Sequence, residues 1–592
     1  MSDTRQLAWV LAILLPVSLP AAPPAGDNGI LPDNLPYEVV DGVRFYSQIA
    51  PQPWRDHDDV IEGFDWSLPD TAPSPKAMFR ARGQDPKMYP VPLLGNIMVS
   101  WRELEPEEGR YDFGVIAKKI EQRAAEGYRR FELHLLASIW AMEFVDSEGK
   151  IIPPEKLNEK QQGQRSRAPT APAWLAQYNI PTKSAVGLVG EGCQITNFDI
   201  FHPAYHSRYL KLIRALGETG IPQRPDLLAA YVHIASFTRG EEGEGDPPGQ
   251  PHHKETVERL QAWADAFKGN CGKLMFLGNN PDLLRIAYSL GMGQRNGYVE
   301  RYLLHTHNPA LGQTIDTNGY LVVDESLPPI AENRVFGDEN EEYDAHSEGW
   351  VARFGPRESW PHRYREATFR QLQMRRNYVW EPVKSNDPYL TYYLACSLGR
   401  TIADTADAWC YLRESYVHEN NVRKGKVVPV KNFERWLLQR DSAGYETEPA
   451  HKIIYPPTVE GFIRTTYVKG YNYDYVARKG KRFGFALDDR FLPKPAPVAI
   501  KVTYYDEQPW KLVYPTATGP AARSVPCRGD GALRTATFFL ADAVFAARKL
   551  DYDFEIQATS EPATIRFVRV IKFAKPQSSP RNTEAHESSH TR

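Results

Sequence analysis

From about residue 90 to 415 the chain alternates short apolar runs with amphipathic stretches. "PLLGNIMVSW" is an apolar run bounded by turn residues and reads as a strand. Phe113, Ile116, Ile120 and Ala124 follow at helical spacing, and Gly127 ends that helix. "RRFELHLLAS" reads as the next strand, and the polar "DSEGKIIPPEKLNEKQQGQRSRAPT" as an irregular loop, long enough for a lid or an insertion. A helix over "PAYHSRYLKLIRALGETG" puts Tyr209, Leu212, Ile213 and Leu216 on one face. The pattern continues with a strand over about 228–236, a helix from Lys254 to Phe267, a strand at "KLMFLGN" and a helix at "LLRIAYSLG". Strands are then expected around "GYVERYLLH", in "ENRVFGDENEEY" and in "QMRRNYVWEP", and a closing helix over "YLTYYLACSLGRTIADTADAWCYLRES".

Strands and helices in this alternation predict parallel strands joined by crossover helices. A (β/α)8 TIM barrel over about 60–415 fits the length better than a doubly wound sheet. No glycine-rich phosphate turn follows the first strand, so a nucleotide fold has nothing to hold its phosphates. Past about residue 460 the pattern changes to β-branched and aromatic runs such as "PVAIKVTYYDE", "LDYDFEIQA" and "TIRFVRVIKF", separated by Gly, Pro and Asp. These predict an all-β sandwich or jelly roll over 466–573, reached through a connecting segment, 416–465. The tail, 574–592, lacks apolar anchors and reads as disordered.

The first residues add a compartment to this picture. Arg5, an apolar stretch from Leu7 to about Leu19 and small residues at Ala21 and Ala22 have the pattern of a secretory signal peptide over 1–25, with an extension over 26–59. The expectation is a secreted or periplasmic protein without stable membrane insertion. With 71 basic against 74 acidic side chains the net charge is −3, which gives no electrostatic case for nucleic acid. Five scattered cysteines without a CxxC indicate neither a zinc site nor a disulfide framework. His305 and His307 lack further ligands at recognisable spacing, so no metal and no cofactor is expected. His233, within an apolar strand, reads as a core histidine.

Two acidic clusters carry the candidate chemistry. "SFTRGEEGEGD" threads Gly240, Gly243 and Gly245 among Glu241, Glu242, Glu244 and Asp246 directly after an apolar strand. "GDENEEY" offers Asp338, Glu339, Glu341 and Glu342 at the end of a later strand. Barrel active sites are built at the C-terminal ends of strands. The first cluster does not follow the oxygen-ligand register of an EF-hand loop; it reads either as a solvated turn or as the floor of an active site. Two carboxylates facing one cavity suit glycosidic bond cleavage, one as acid and one as anion.

"VSWRELEPEEGRYDF" (Val99–Phe113) resembles the second-strand signature of retaining (β/α)8 glycoside hydrolases of clan A, in particular the β-galactosidase and β-agarase-like branches, and "APAWL" (Ala171–Leu175) is loosely similar to their segment after the third strand. The resemblance implies an acid/base Glu after strand four and a nucleophile Glu after strand seven. It selects Glu244 and Glu339, with Glu241, Glu242, Glu341 and Glu342 as alternatives, and a carbohydrate substrate containing β-linked galactose. The usual Asn-Glu pair at the fourth strand is absent, and "RGEEGEG" stands in its place. The C-terminal segment resembles galactose-binding-like jelly rolls, read here mainly as a brace. Trp101, Arg239, Arg295, Asn296 and Trp380 are candidate substrate-binding residues; each also has an ordinary structural reading, as core or solvated side chain. A polysaccharide lyase and a non-catalytic carbohydrate-binding barrel are the alternative functions.

Overall fold

The computed structural model describes residues 74–81, 86, 92–186, 192–234, 244–298, 309–339, 360–381, 388–416, 422–454, 470–540, 543–545 and 552–572, and the backbone of 37–40 and 43–46. The proposed signal peptide and the tail lie outside the described residues, as do His305 and His307. No helix among the described residues is long and apolar enough to cross a membrane.

Eight parallel strands form a nearly closed barrel: β1 (Met78–Ala81), β2 (Leu94–Ser100), β3 (Arg130–Leu136), β4 (Leu227–Tyr231), β5 (Leu274–Leu277), β6 (Gly293–Tyr298), β7 (Phe336–Glu339) and β8 (Tyr378–Glu381). From β2 to β8 each pairs with the next in sequence, and β8 pairs with β1 through Tyr378↔Met78 to Glu381↔Ala81. The β1–β2 seam is joined by the bridge Phe79↔Leu93 and leaves a cavity of about 620 Å³ reaching Arg80 and Asn96. Crossover helices α1 (Gly114–Glu126), α2 (Pro203–Gly217), α3 (His253–Ala266), α4 (Pro281–Ser289), α5 (Trp360–Gln373) and α6 (Pro388–Ser397) cover the outside. The period-two alternation sorts each strand. Leu133 and Leu135 of β3 pack outward with Ile116 and Ile120 of α1, while Met78, Ala229, Tyr231, Met275 and Tyr378 pack into the lumen. Gly127 closes α1 at φ 113°, a left-handed conformation that glycine takes without steric cost.

Three expectations are corrected. The sixth strand begins earlier than "GYVERYLLH", as "GQRNGY" (Gly293–Tyr298), and the expected run from 299 onward lies outside the described residues. A Cβ on Gly293 would lie 2.0 Å from the Val335 carbonyl oxygen, so glycine is what lets β6 reach β7. The loop after β3 is an insertion holding a three-stranded antiparallel sheet (Ile139–Phe144, Thr182–Val186, Cys193–Phe198) and a short helix, Glu159–Arg167. The last predicted helix stops at Ser397, and Asp407–Ser415 is already a strand of the C-terminal domain, paired with Ala563–Lys572.

Antiparallel sheets of nine and five strands therefore begin before residue 416, and the expected connecting segment contributes Val430–Arg435, Leu437–Gln439 and Thr447–Ile454 to them. The hairpin Tyr37–Val40/Val43–Tyr46 adds to the edge of the larger sheet by pairing with Leu533–Leu540. Barrel and sheets share a core: Phe369 of α5 meets Trp409, Tyr411 and Phe567 of the large sheet at ring-centroid distances of 5.0, 5.5 and 5.1 Å.

Candidate active site

Beneath the C-terminal rim of the barrel four buried side chains from β1, β3, β4 and β8 close a ring of three hydrogen bonds and one ion pair. Arg80 Nε lies 3.0 Å from Glu132 Oε1, and Arg80 Nη1 donates to the Tyr231 hydroxyl at 2.6 Å. Tyr231 and Tyr378 hydroxyls are 2.9 Å apart, and Tyr378 donates to Glu132 Oε2 at 2.9 Å. Because Tyr378 donates to the carboxylate, Tyr231 must donate to Tyr378, and every hydroxyl in the ring both gives and receives. Burial alone would lower the Arg80 pKa, but Tyr231 and Glu132 hold it above its ordinary value. Burial likewise pushes the Tyr378 hydroxyl well above the usual phenol range. The ring fixes a protonated guanidinium among buried polar partners.

The rim residues stand on this ring. His134 stacks on Tyr231 at 4.4 Å and 19°. The Arg80 guanidinium lies 3.9 Å from the Trp380 ring centroid, and Arg295 approaches Tyr231 and Trp380 at 4.9 and 5.9 Å. Arg295 Nη2 forms an ion pair with Glu339 Oε1, both largely buried. Glu339 ends β7 and registers against Trp380 of β8 and Tyr298 of β6. The preceding inward residue is Gly337, where a Cβ would lie 2.5 Å from the Tyr378 ring; a bare backbone there is what admits Tyr378 to the lumen. Asp338, next along the strand, points the other way and pairs with Arg376 at 2.6 Å. Alternation thus separates two neighbouring acids that the sequence presents together.

Glu244 follows β4 in the chain and lies against the turn after β5. Its Oε1 accepts from the backbone amides of Asn279, at 2.7 Å, and Asn280, at the turn between β5 and α4. Gly278 makes room for it, since a Cβ there would fall 2.6 Å from Glu244 Oε1. Gly245, at φ 82°, tucks the chain against Thr256 and Ile234. Burial lifts the Glu244 pKa above the ordinary carboxylate value against the pull of the two amides. The two principal carboxylates are therefore held by different partners, Glu339 by a guanidinium and Glu244 by backbone amides.

Trp101 is not an open platform. It is fully buried, donates from Nε1 to Glu105 Oε2 at 2.6 Å, and meets Trp174, Tyr205 and Tyr209 edge-on. The motif around it braces the second loop, with a Ser100–Glu103 capping box and Glu108 bound by Arg208 and Tyr178. Trp380, by contrast, is half-buried at the rim. Asn296 lies on β6. Arg239, Glu241, Glu242, Glu341 and Glu342 lie outside the described residues. Sequence reasoning missed Arg80, Glu132, Tyr231 and Tyr378, since isolated polar residues on separate buried strands give no local signal.

Tyr378→Phe opens the ring and leaves Glu132 and Tyr231 each short of a partner. It is expected to cost about 1–3 kcal/mol in chemical denaturation; an unchanged midpoint and slope would contradict the closed ring.

No family model and no curated protein sequence matches the chain. Among solved structures, endo-glycoceramidase II from Rhodococcus sp., as its lactosyl-enzyme intermediate, aligns over 76% of this chain and 89% of its own at 11% identity and a TM-score of 0.25. The same enzyme in a cellobiose-like imidazole complex gives 76%, 88%, 10% and 0.25. Superpositions at this score carry no chemistry, and the barrel here is established by its own strand order and register.

Proposed function

We propose that the chain is a retaining glycoside hydrolase in which Glu339 is the nucleophile and Glu244 the acid/base. The observation that carries this reading is Glu339 itself, a largely buried carboxylate at the C-terminal end of β7, paired with Arg295 beside the half-buried Trp380. Arg295 supplies the counter-charge that an anionic nucleophile requires, and Trp380 offers an aromatic surface to a sugar ring. Glu339 attacks the anomeric carbon as the glycosidic oxygen takes a proton from Glu244 and leaves. Glu244 then removes a proton from water, which displaces Glu339 with net retention. Burial raises the Glu244 pKa, the direction a proton donor needs. The substrate is a carbohydrate with β-linked galactose, on the motif resemblance, and the protein is secreted or periplasmic, on its first residues.

The pH profile tests the donor. With its pKa raised, Glu244 stays protonated to higher pH than an ordinary carboxyl, so kcat/KM falls as pH rises through that raised value. Glu244→Gln keeps an acceptor for the Asn279 and Asn280 amides, so folding is preserved, but it has no proton to give. The expected result is a loss of about 10²–10⁴-fold in turnover together with disappearance of the alkaline limb. An unchanged limb would assign Glu244 to loop capping alone.

A further inference from the structure

The edge of the nine-stranded sheet carries an aromatic surface remote in sequence from the barrel. Three strands contribute to it: Asp407–Ser415 with Tyr416 following, Tyr473–Gly480, and the edge strand Thr447–Ile454. Register aligns Ile454 with Tyr473 and Lys452 with Tyr475, and Tyr416 donates its backbone N–H to the Tyr473 carbonyl. One transverse row therefore reads Tyr416, Tyr473, Ile454, and the next reads Glu414, Tyr475, Lys452. Tyr471 extends the first row, 6.1 Å from both Tyr416 and Tyr473. Tyr416 and Tyr473 are 4.9 Å apart, and Tyr473 and Tyr475 5.7 Å. All four tyrosines are half-buried, and Ile454 is 65% exposed.

Rings packed this way in a sheet normally face a core; here they face outward. All four are tyrosines, which pair an apolar face with a hydroxyl tip. Among the described residues of these two rows charge is nearly spent: Glu414 is taken up by Arg478 and the Tyr416 hydroxyl, leaving Lys452, whose Nζ lies 3.7 Å over the Tyr473 ring on a flexible stem. Pairing of a second β-chain to the edge is hindered, since His451 turns to φ 56° and stacks on Tyr505 at 3.5 Å. An uncharged ligand with apolar ring faces and a hydroxyl rim fits this surface better than a peptide strand or an anion.

We propose that Tyr416, Tyr471, Tyr473 and Tyr475 form a binding surface for a neutral polysaccharide chain, separate from the barrel rim. The choice of carbohydrate rests on the hydrolase reading above. Sugar rings stack on the tyrosine faces, and Lys452 swings aside to bond hydroxyls.

Native electrophoresis through gels cast with a soluble neutral β-linked galactan tests this, in a Glu339→Gln background so that the polymer is not cut. The expected result is retardation of the full-length protein, weakened about tenfold or more in apparent affinity by Tyr471→Ala/Tyr473→Ala. Tyr473→Trp, which keeps a ring, should retain binding, and thermal unfolding of each variant identifies any that fail to fold. Equal retardation with and without the two rings would overturn the proposal, as would no retardation at all. Concentration-dependent self-association abolished by the double variant would also overturn it, by making the surface an interface between copies. Hydrolysis of short soluble oligosaccharides is read in parallel, with Glu339 intact. The tyrosine variants should leave it unchanged, and its absence in the wild type would count against the hydrolase while the gel result stood by itself.

Discussion

Glu339→Gln is expected to reduce turnover by about 10³-fold or more while the barrel stays folded. The substitution removes the attacking anion and keeps the shape. It also removes the Glu339 ion pair from Arg295, but Arg295 lies over Tyr231 and near Trp380, so the guanidinium retains its aromatic surroundings. Some loss of stability should follow from the broken ion pair, and that loss must be separated from the loss of chemistry. Glu339→Ala with added azide makes the separation. A small anion in the vacated space attacks the anomeric carbon in place of the carboxylate, and a glycosyl azide of inverted configuration accumulates. Restored turnover with that product identifies the nucleophile. Glu339→Gln at wild-type activity would remove Glu339 from the mechanism, and loss of activity matched by loss of folding would make it a structural partner of Arg295.

The second large effect lies at the joint between barrel and sheets. Phe369 of α5 is 1% exposed and packs among Trp409, Tyr411 and Phe567, so Phe369→Ala is expected to cost about 3–5 kcal/mol. An ion pair crosses the same joint: Arg413 Nε lies 2.6 Å from Glu366 Oε2, with both side chains almost fully buried. Removing Arg413 takes the nearest counter-charge from a buried carboxylate, a loss of comparable size. Because the core is shared, barrel and sheets should unfold together. Chemical denaturation followed by near-ultraviolet circular dichroism and by fluorescence should show coincident transitions in the wild type and in Phe369→Ala. A cost below about 1 kcal/mol, or a sheet domain that melts separately at its wild-type midpoint, would contradict a shared core.

The parts of the fold that were legible in the sequence are those where one periodicity dominates. Helix α1 announced itself through Ile116 and Ile120 and its terminal Gly127, and β5 through an unbroken apolar run. Strand β6 does not, because it carries glycine, arginine and asparagine instead of valine and isoleucine. The run from Tyr389 to Ser415 reads as one helix, although its apolar residues change from the packing of α6 to the fully buried strand Asp407–Ser415. Fully buried strands and buried helices share the same letters, and tertiary pairing with Ala563–Lys572 decides between them.

At the site, the sequence pointed to Glu339 through its place in the strand count, and Trp380 and Arg295 through their positions at strand ends. It also presented Trp101 as a surface for sugar, where the structure gives it to the core through the Glu105 bond and three aromatic edges. The Arg80–Glu132–Tyr231–Tyr378 ring is out of reach of the sequence, because bonded members such as Glu132 and Tyr378 are 246 positions apart and meet only when the barrel closes. That ring supports everything above it: it anchors the arginine beneath Trp380 and the tyrosine beneath Arg295 and His134.

The central claim is that this barrel hydrolyses glycosidic bonds with Glu339. Its most direct test is product release by the wild type and Glu339→Gln from a panel of β-linked galactans and other polysaccharides, read both as new reducing ends and as ultraviolet absorbance. Reducing ends from the wild type alone, without absorbance, are the predicted result. Absorbing, unsaturated products would instead identify a lyase, and equal release by both proteins would take the chemistry away from Glu339.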